Sequence, residues 1–291
     1  MSFKRPGVLW ALVAAAALTA MSCTGLSSRA TTDATTDSES RFRPRSQPDW
    51  QLVWSDEFDT DGLPDPERWN YEAGFVRNQE AQFYTTSRLR NSRVEDGHLI
   101  IEAQRERFVH AEYTSASIHT RFTQTWTYGR FEVRAKIPTG RGTWPAIWLL
   151  GANIRDVGWP ASGEIDIMEN VGWDPRRVHA TVHTNAFNHM LGTERGGSIV
   201  LGRPWEQFHV YAIEWHPDRI DFFVDDQRYF TYRNDGSGND SWPFDKPHYL
   251  IVNLAIGGTW GGMRGIDDDI FPQRFVIDYV RVYHDANVAS R

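Results

Sequence analysis

The segment Gly129–Lys136, GRFEVRAK, alternates strictly between apolar and charged side chains after its first residue. Phe131, Val133 and Ala135 would lie on one side of an extended chain, and the charged residues between them would lie on the other. A period of two over this length predicts a β-strand with one buried face and one polar face.

Similar runs recur along the chain and are separated by loops that carry glycine and proline, such as IPTGRGTWP and AIGGTWGG. Further strands are predicted at residues 51–58, 98–104, 143–151, 177–184, 208–215, 219–225, 227–232, 248–256 and 274–283. The VDDQ sequence between two of these runs predicts a hairpin turn. No long amphipathic helix is predicted, so the fold class is all-β: a jelly-roll sandwich of two antiparallel sheets with a concave groove that suits a polymer.

Composition narrows the range of partners. The chain has 291 residues and a formal net charge of -7, which argues against nucleic-acid binding because phosphate affinity depends on clustered lysine and arginine. One cysteine excludes an intrachain disulfide and a cysteine-based zinc site. Thirteen tryptophans are more than a core of this size usually needs, which leaves rings over for a binding surface.

The first residues predict export. Lys4 and Arg5 precede an apolar run from Val8 to Met21, the pattern of a signal peptide that spans residues 1–23. Residues 18–23 resemble a bacterial lipobox ending at Cys23, although Ala20 stands where leucine is usual. In this interpretation, the mature protein is a cell-surface or outer-membrane lipoprotein that contacts the membrane only through a lipid anchor. The alternative is a plain secretory signal and a secreted protein.

Polar residues dominate the segment 24–48, which is too poor in large apolar side chains to form a core. We interpret this segment as a flexible tether. The folded domain is predicted at residues 49–285, and we expect a monomer.

The segment Gly163–Asn170, GEIDIMEN, contains three acids on one predicted strand. Strict alternation places Glu164 and Asp166 on one face but turns Glu169 into the core, where an unpaired carboxylate would be very costly. One extra residue near Ile167, a β-bulge, returns Glu169 to the face of the other two acids. We therefore predict a bulge and three acids on one face.

Adjacent carboxylates raise one another's pKa, so such a cluster retains a proton near neutral pH. An ionised carboxylate beside a protonated one is the requirement of a glycosidase. From spacing alone, a solvated charged strand face and a calcium site remain alternatives. Calcium prefers several oxygen ligands from a looping backbone, which a strand does not offer.

The sequence around these acids resembles glycoside hydrolase family 16, whose signature matches Glu164-Ile165-Asp166-Ile167-Met168-Glu169 in full. The resemblance extends from LVWSDEF through NQEAQFYT, YGRFEVRAKIP, GTWPAIWLL, FHVYAIEW and VNLAIGG to IDYVRVY. The methionine before the second glutamate is similar to the bacterial laminarinase branch.

This resemblance implies a concanavalin-like jelly roll and retaining, endo-acting hydrolysis of β-1,3-glucan without a cofactor. Glu164 would be the nucleophile, Glu169 the general acid and then base, and Asp166 the residue that holds the proton network. The same mechanism on mixed-linkage glucan or a marine galactan is an alternative. A non-catalytic glucan-binding lectin or a purely structural lipoprotein would leave the three acids without a purpose.

Aromatic and polar side chains near the acids are candidates for sugar contacts, because tryptophan rings match the apolar faces of sugars. Placement beside the acids or in a glycine-rich turn selects four tryptophans, each of which could instead be a core ring. By resemblance, His183 would lie near Glu169, and two further residues would line the glycone side. Arg134 is a candidate because it projects from the polar face of its strand. The predicted substrate-binding residues are Trp144, Trp148, Trp159, Trp260, His183, Asn78, Glu80 and Arg134.

The resemblance also implies a structural Ca²⁺ on the convex side of the fold. Its ligands would be the side chains of Glu57 and Asp278 and the backbone carbonyl of Gly97. Spacing does not support this set independently, and three ordinary surface residues are the alternative.

Overall fold

The structure, a computed structural model, describes residues 47–287. The predicted signal peptide, Cys23 and residues 24–46 of the predicted tether lie outside the described residues. Within residues 47–287, no helix is long and apolar enough to cross a membrane.

Seventeen strands hold about half of the described residues, and eleven of them lie on stretches that the sequence predicts as strands. Their bounds are β1 Trp50–Asp56, β2 Asn70–Tyr71, β3 Gln82–Tyr84, β4 Ser92–Glu95, β5 His98–Phe108, β6 Ala111–Ser115, β7 Ser117–His119, β8 Gly129–Lys136, β9 Thr143–Gly151, β10 Glu164–Asn170, β11 Arg177–His183, β12 Arg195–Val200, β13 His209–His216, β14 Arg219–Val224, β15 Gln227–Arg233, β16 His248–Ile256 and β17 Gln273–Asp285. The helical elements of the described part are one turn of α-helix, α1 Ile154–Val157, and a 3₁₀ turn, Asp268–Ile270.

The strands form two sheets. The inner sheet has seven strands in the order β12-β11-β10-β9-β16-β7-β2, and the outer sheet has ten, with β15-β14-β13-β8-β17-β5-β6-β3 as its main path. Pairing is antiparallel throughout the described part except between β3 and β6, which run parallel. The prediction of two antiparallel sheets is therefore confirmed with one local exception at a sheet edge.

Strand β8 shows why the alternating pattern forms this sandwich. Phe131, Val133 and Ala135 are at most 1% exposed, while the charged residues between them are partly exposed. Burying each of the larger side chains contributes about 1.5–3 kcal/mol, which is the main force that holds the two sheets together. Arg134 consequently lies on the solvent face of the outer sheet, in an ion pair with Asp278.

Strand β9 is buried along its whole length, because both of its faces are covered. Ile147 and Leu149 belong to the core between the sheets. Trp144 and Trp148 belong to separate apolar clusters on the other face of the same strand. This face is the floor of the concave groove and positions the site described next.

The VDDQ turn is observed as predicted. Val224 pairs with Gln227 across the β14–β15 hairpin, and Asp225 has a φ of 54°. Two-residue hairpin loops commonly need such left-handed residues.

Candidate active site

Strand β10 contains the predicted bulge. Against β9, Asp166 pairs with Trp148 but Met168 pairs with Ile147, so one residue of β10 is extra. Against β11, the register likewise shifts between Asp166 and Glu169. Ile167 and Met168, although consecutive, are both 0% exposed and belong to the core between the sheets. The prediction is confirmed: the bulge buries two neighbours and returns Glu169 to the face of Glu164 and Asp166.

The three acids line a cleft of about 400 Å³ on the concave face of the inner sheet. Most of its walls are apolar or aromatic, and polar groups converge from the floor. The lining residues are Arg77, Asn78, Glu80, Trp144, Ala146, Trp148, Leu150, Ile154, Trp159, Glu164, Asp166, Glu169, His189, Met190, Asn253 and Ala255.

Burial dominates the electrostatics of the three carboxyls. It raises the pKa of Glu164 to about 8, with the charge of Glu169 as the second cause. It raises the pKa of Glu169 to about 7 and that of Asp166 well above its usual range. Among the described residues, no lysine or arginine forms an ion pair with any of the three carboxyls. The basic side chain within ion-pair distance of Glu164 and Asp166 is the imidazole of His183. The cluster therefore carries fewer than three negative charges at neutral pH.

Two predicted sugar platforms also hold the acids. The indole Nε1 of Trp144 donates to Glu169 at 3.0 Å, and that of Trp159 donates to Glu164 at 3.2 Å. Both hydrogen bonds favour the ionised carboxylate and oppose the effect of burial. The sequence located these rings beside the acids, but their polar contacts depend on ring orientations that the sequence does not show.

Trp148 lines the cleft and is nearly buried. It is 6% exposed, its Nε1 donates to Asn253 at 2.8 Å, and the guanidinium of Arg77 lies 4.9 Å from its ring centre. Arg77 is paired with Glu72, and its charge lowers the pKa of Glu164 against burial. Trp148 lines the cleft as predicted, but the guanidinium already occupies one side of its ring.

His183 lies near a different acid from the one expected. Antiparallel pairing of β10 with β11 sets His183 opposite Glu164 and His179 opposite Glu169. His183 Nε2 lies 3.4 Å from Asp166 Oδ2 and 3.8 Å from Glu164 Oε1. The expected place beside Glu169 is therefore wrong, because the strand register sets the pairing. Burial, and secondarily His189, lowers the pKa of His183 to about 4, so its ring is neutral at neutral pH.

Asn78 and Glu80 line the cleft, as expected. Asn78 Nδ2 donates to Glu80 at 3.3 Å, and Gln82 Nε2 donates to the other Glu80 oxygen at 2.7 Å. Burial raises the pKa of Glu80, and the positive charge of Arg77 opposes that rise. The pair thus offers hydrogen-bonding groups next to the acids, on a turn in which Asn78 has a φ of 55°.

Three predicted sugar contacts are not among the residues that line this cleft: His183, Arg134 and Trp260. Arg134 belongs to the outer sheet, so the prediction that it braces the groove is wrong: its polar strand face is the solvent face of the other layer. Trp260 lies beyond the Glu169 end, where its ring meets those of Trp144 at 5.6 Å and His179 at 4.9 Å. It supports the ring that holds Glu169.

The carboxylates proposed for Ca²⁺ have other partners. Glu57 accepts two hydrogen bonds from Arg281, at 2.8 and 3.0 Å, and Asp278 pairs with Arg134. Gly97 forms the tight turn between β4 and β5 with a φ of 73°. Both carboxylates are therefore paired with guanidinium groups in this structure, and the calcium site stays a prediction.

Half of the sixteen lining residues were not predicted from the sequence, among them Arg77, His189, Met190 and Asn253. Arg77 adjoins the NQEAQFYT stretch, so its position was a usable signal. The ring of His189 lies 4.9 Å from that of Trp159, and Met190 is 75% exposed at the rim. Both come from the loop after β11, where no periodicity marks which side chains turn inward.

Comparison with known proteins agrees with this geometry. The model of glycosyl hydrolases family 16 matches residues 79–281. A beta-glucanase of Rhodothermus marinus is 54% identical over 250 residues, covering 83% of this chain and 87% of that protein. The X-ray structure of the laminarinase from Rhodothermus marinus matches with a TM-score of 0.81 at 54% identity, over 82% of this chain and 99% of that one. A mutant of a non-specific endo-beta-1,3(4)-glucanase, co-crystallised with 1,3-beta-D-cellotriosyl-glucose, matches with a TM-score of 0.79 at 44% identity, over 82% and 98% of the two chains.

Proposed function

This chain belongs to glycosyl hydrolase family 16, and on that premise we propose that it is a retaining, endo-acting glycoside hydrolase that cleaves laminarin-type β-1,3-glucan. One observation carries the proposal: three buried carboxyls share one face of a bulged strand, at the floor of an open cleft lined by tryptophan. A fold would not assemble these acids for stability, since each of their pKa values is raised by burial.

In the first step, the Glu164 carboxylate attacks the anomeric carbon while Glu169 gives its proton to the glycosidic oxygen that leaves. Positive charge develops at the anomeric carbon and favours the ionised form of Glu164. Trp159 and Arg77 act in the same direction. Burial raises the pKa of Asp166 well above its usual range, and Asp166 lies beside Glu164 and holds its orientation.

In the second step, water attacks the glycosyl–enzyme ester, Glu169 takes the proton of the water, and Glu164 leaves as a carboxylate. Esterification removes the negative charge of Glu164, which in the free enzyme is the second cause of the raised pKa of Asp166. Glu169 gave its proton to the leaving group in the first step, so it is ionised at this stage and can act as the base. Two successive inversions retain the anomeric configuration.

The relatives support β-1,3-glucan as the polymer, and the open cleft fits attack inside a chain. Mixed-linkage glucan is the second candidate, because the enzyme co-crystallised with a mixed-linkage oligosaccharide is 44% identical to this chain. A non-catalytic lectin is disfavoured, since all three acids are present and buried together.

A substrate panel tests the proposal. The purified chain is incubated with laminarin, lichenan, agarose, carrageenan and xyloglucan, and new reducing ends are measured. We expect turnover on laminarin, with oligosaccharides of mixed length as early products. Turnover restricted to agarose or carrageenan would refute the glucanase assignment. Proton NMR of the first products should show the β-anomer, and an initial α-anomer would contradict the nucleophile role of Glu164.

We also propose that the protein is exported and acylated at Cys23, on the basis of the basic start, the apolar run and the lipobox-like residues. The enzyme would then act at the cell surface. Fractionation and mass spectrometry of the mature amino terminus test this, with Cys23→Ser as the matched variant. A soluble wild-type product that begins downstream of Cys23 would contradict acylation.

A further inference from the structure

One nitrogen and two oxygens converge within the cleft in a way that glycoside hydrolysis does not require. Glu164 and Asp166 lie on β10, His183 lies on the neighbouring β11, and one ligand atom of each lies within 4.8 Å of the other two. The imidazole Nε2 is 3.4 Å from Asp166 Oδ2 and 3.8 Å from Glu164 Oε1. No positively charged lysine or arginine of the described part of the chain pairs with this trio.

These spacings match the donor spacing around a small cation. Zinc binds nitrogen and carboxylate oxygen at about 2.0–2.2 Å in a tetrahedral arrangement, which places two ligand atoms roughly 3.4 Å apart. The imidazole–Asp166 distance has this value, and the other two spacings, of at most 4.8 Å, would have to shorten by a few tenths of an ångström to about 1.4 Å. Strand register explains the arrangement: Glu164 pairs with His183, Asp166 lies two residues further along the same face of β10, and Glu169 lies beyond the bulge.

A second observation comes from hydrogen bonding. Asp166 is 4% exposed, and its Oδ2, the atom nearest to His183, has no hydrogen-bond partner. A buried carboxylate oxygen without a partner costs free energy unless a proton or a cation satisfies it. Imidazole nitrogen is also the commonest side-chain ligand of transition metals.

We propose that Glu164, Asp166 and His183 form a reversible site for a divalent transition-metal ion of the Zn²⁺ type, and that occupation of this site inhibits the enzyme. The fourth coordination position faces the cleft. Imidazole with carboxylate suits zinc or copper, whereas Mg²⁺ and Ca²⁺ prefer six or more oxygen ligands. Binding of the metal is independent of the proposed function; inhibition rests on it, because the metal would occupy the nucleophile.

A second cluster with similar residue types does not carry the same inference. Glu214, His216 and Asp221 also converge, on β13 and β14. There, however, Glu214 is paired with Arg130 at 2.9 Å and Asp221 with Arg219 at 2.7 Å. The guanidinium groups already neutralise the carboxylates.

Calorimetric titration of the purified chain with ZnCl₂, in a buffer that does not chelate metal, tests the proposal. We expect one Zn²⁺ per chain, no comparable heat with MgCl₂, and at least a tenfold weaker affinity in His183→Gln. Asp166→Asn is the second variant, in case His183→Gln does not fold. Laminari-oligosaccharides should weaken the apparent zinc affinity, and Co²⁺ should show the visible absorption of a tetrahedral site with a nitrogen ligand.

The controls are His179→Gln, on the same strand, and His216→Gln, in the second cluster; both should bind Zn²⁺ like the wild type. Zinc affinity that is unchanged in both His183→Gln and Asp166→Asn, or that is lost in His216→Gln, would overturn the proposal. Absence of stoichiometric binding would overturn it as well. Since calorimetry needs no turnover, failure of the glucanase assignment would leave these results interpretable.

Discussion

Trp144 on β9 donates its indole proton to Glu169 on β10 across a distance of 3.0 Å. The hydrogen bond connects an aromatic ring of the cleft to the proposed acid–base group. A donor stabilises the charged carboxylate and lowers its pKa, whereas burial raises the pKa, and the balance stands at about 7. The indole of Trp144 therefore helps to set the pH at which Glu169 loses its proton.

Replacement of Trp144 by phenylalanine should move the basic limb of the pH profile upward. Without the donor, the pKa of Glu169 rises, so the proposed acid stays protonated to higher pH. We expect the basic limb of kcat/KM to shift by roughly 0.5–1 pH unit, as suits one hydrogen bond to a charged group. Trp173→Phe is the matched control, because that indole donates to the Trp260 carbonyl instead. A downward shift in Trp144→Phe would contradict the assignment.

Replacement of either proposed catalytic glutamate by glutamine should abolish turnover without unfolding the protein. For Glu164→Gln and Glu169→Gln we expect kcat to fall by at least about 10³-fold, since a step of the displacement then lacks its nucleophile or its proton donor. Circular dichroism should match the wild type.

Glu80→Gln serves as the control within the cleft, since Glu80 lies off the bulged strand. Loss of the Glu80 carboxylate should change KM more than kcat. Near-normal activity in either catalytic variant would eliminate the proposed mechanism.

The same cluster should make stability depend on pH. The folded-state pKa of Glu164, about 8, exceeds its usual value, so the fold is most favoured while the group is protonated and loses stability as pH rises through 8. Glu164→Gln removes this loss. We expect its Tm to match the wild type near pH 5 and to exceed it by about 2–4 °C or more near pH 9.

For Glu57→Gln we expect the opposite dependence of stability on pH. Arg281 lowers the pKa of Glu57, so its contribution is present above the unfolded-state pKa and lost as pH falls. This variant should have a lower Tm than the wild type at neutral pH and approach it in acid. Parallel Tm curves for Glu164→Gln and wild type would argue against a buried, charged cluster.

The bulge can be tested by packing. Ile167 and Met168 are neighbours, and both are fully buried in the core. We expect Ile167→Ala and Met168→Ala each to lower the free energy of unfolding by about 2–5 kcal/mol in chemical denaturation. In a regular strand one of the two would face the groove. A loss below about 1 kcal/mol for Met168→Ala would mean that the bulge is absent.

Much of the fold was predictable because its signal is local. In β8, each apolar side chain alternates with a charged one, and the structure buries the first kind and exposes the second. The bulge was predictable for a related reason: Glu169 on a regular strand would be a lone buried carboxylate, and one extra residue removes that cost. Neither inference depends on which strand lies alongside.

The wrong predictions concern relationships between strands, which the sequence of a single strand does not show. Arg134 projects from a polar strand face, but only the sheet order shows that this face belongs to the outer layer. His183 contacts Asp166 and Glu164 because of the register between β10 and β11.

By itself, then, the sequence determined the class of fold, the bulged strand and the three acids on one face, because period and burial cost act over a few residues. Only the tertiary structure decided which tryptophan holds which acid, which histidine approaches the nucleophile, and that His183, Glu164 and Asp166 converge on a single point. Those relationships depend on strand register and on side-chain directions across neighbouring strands, and both are set when distant segments pack together.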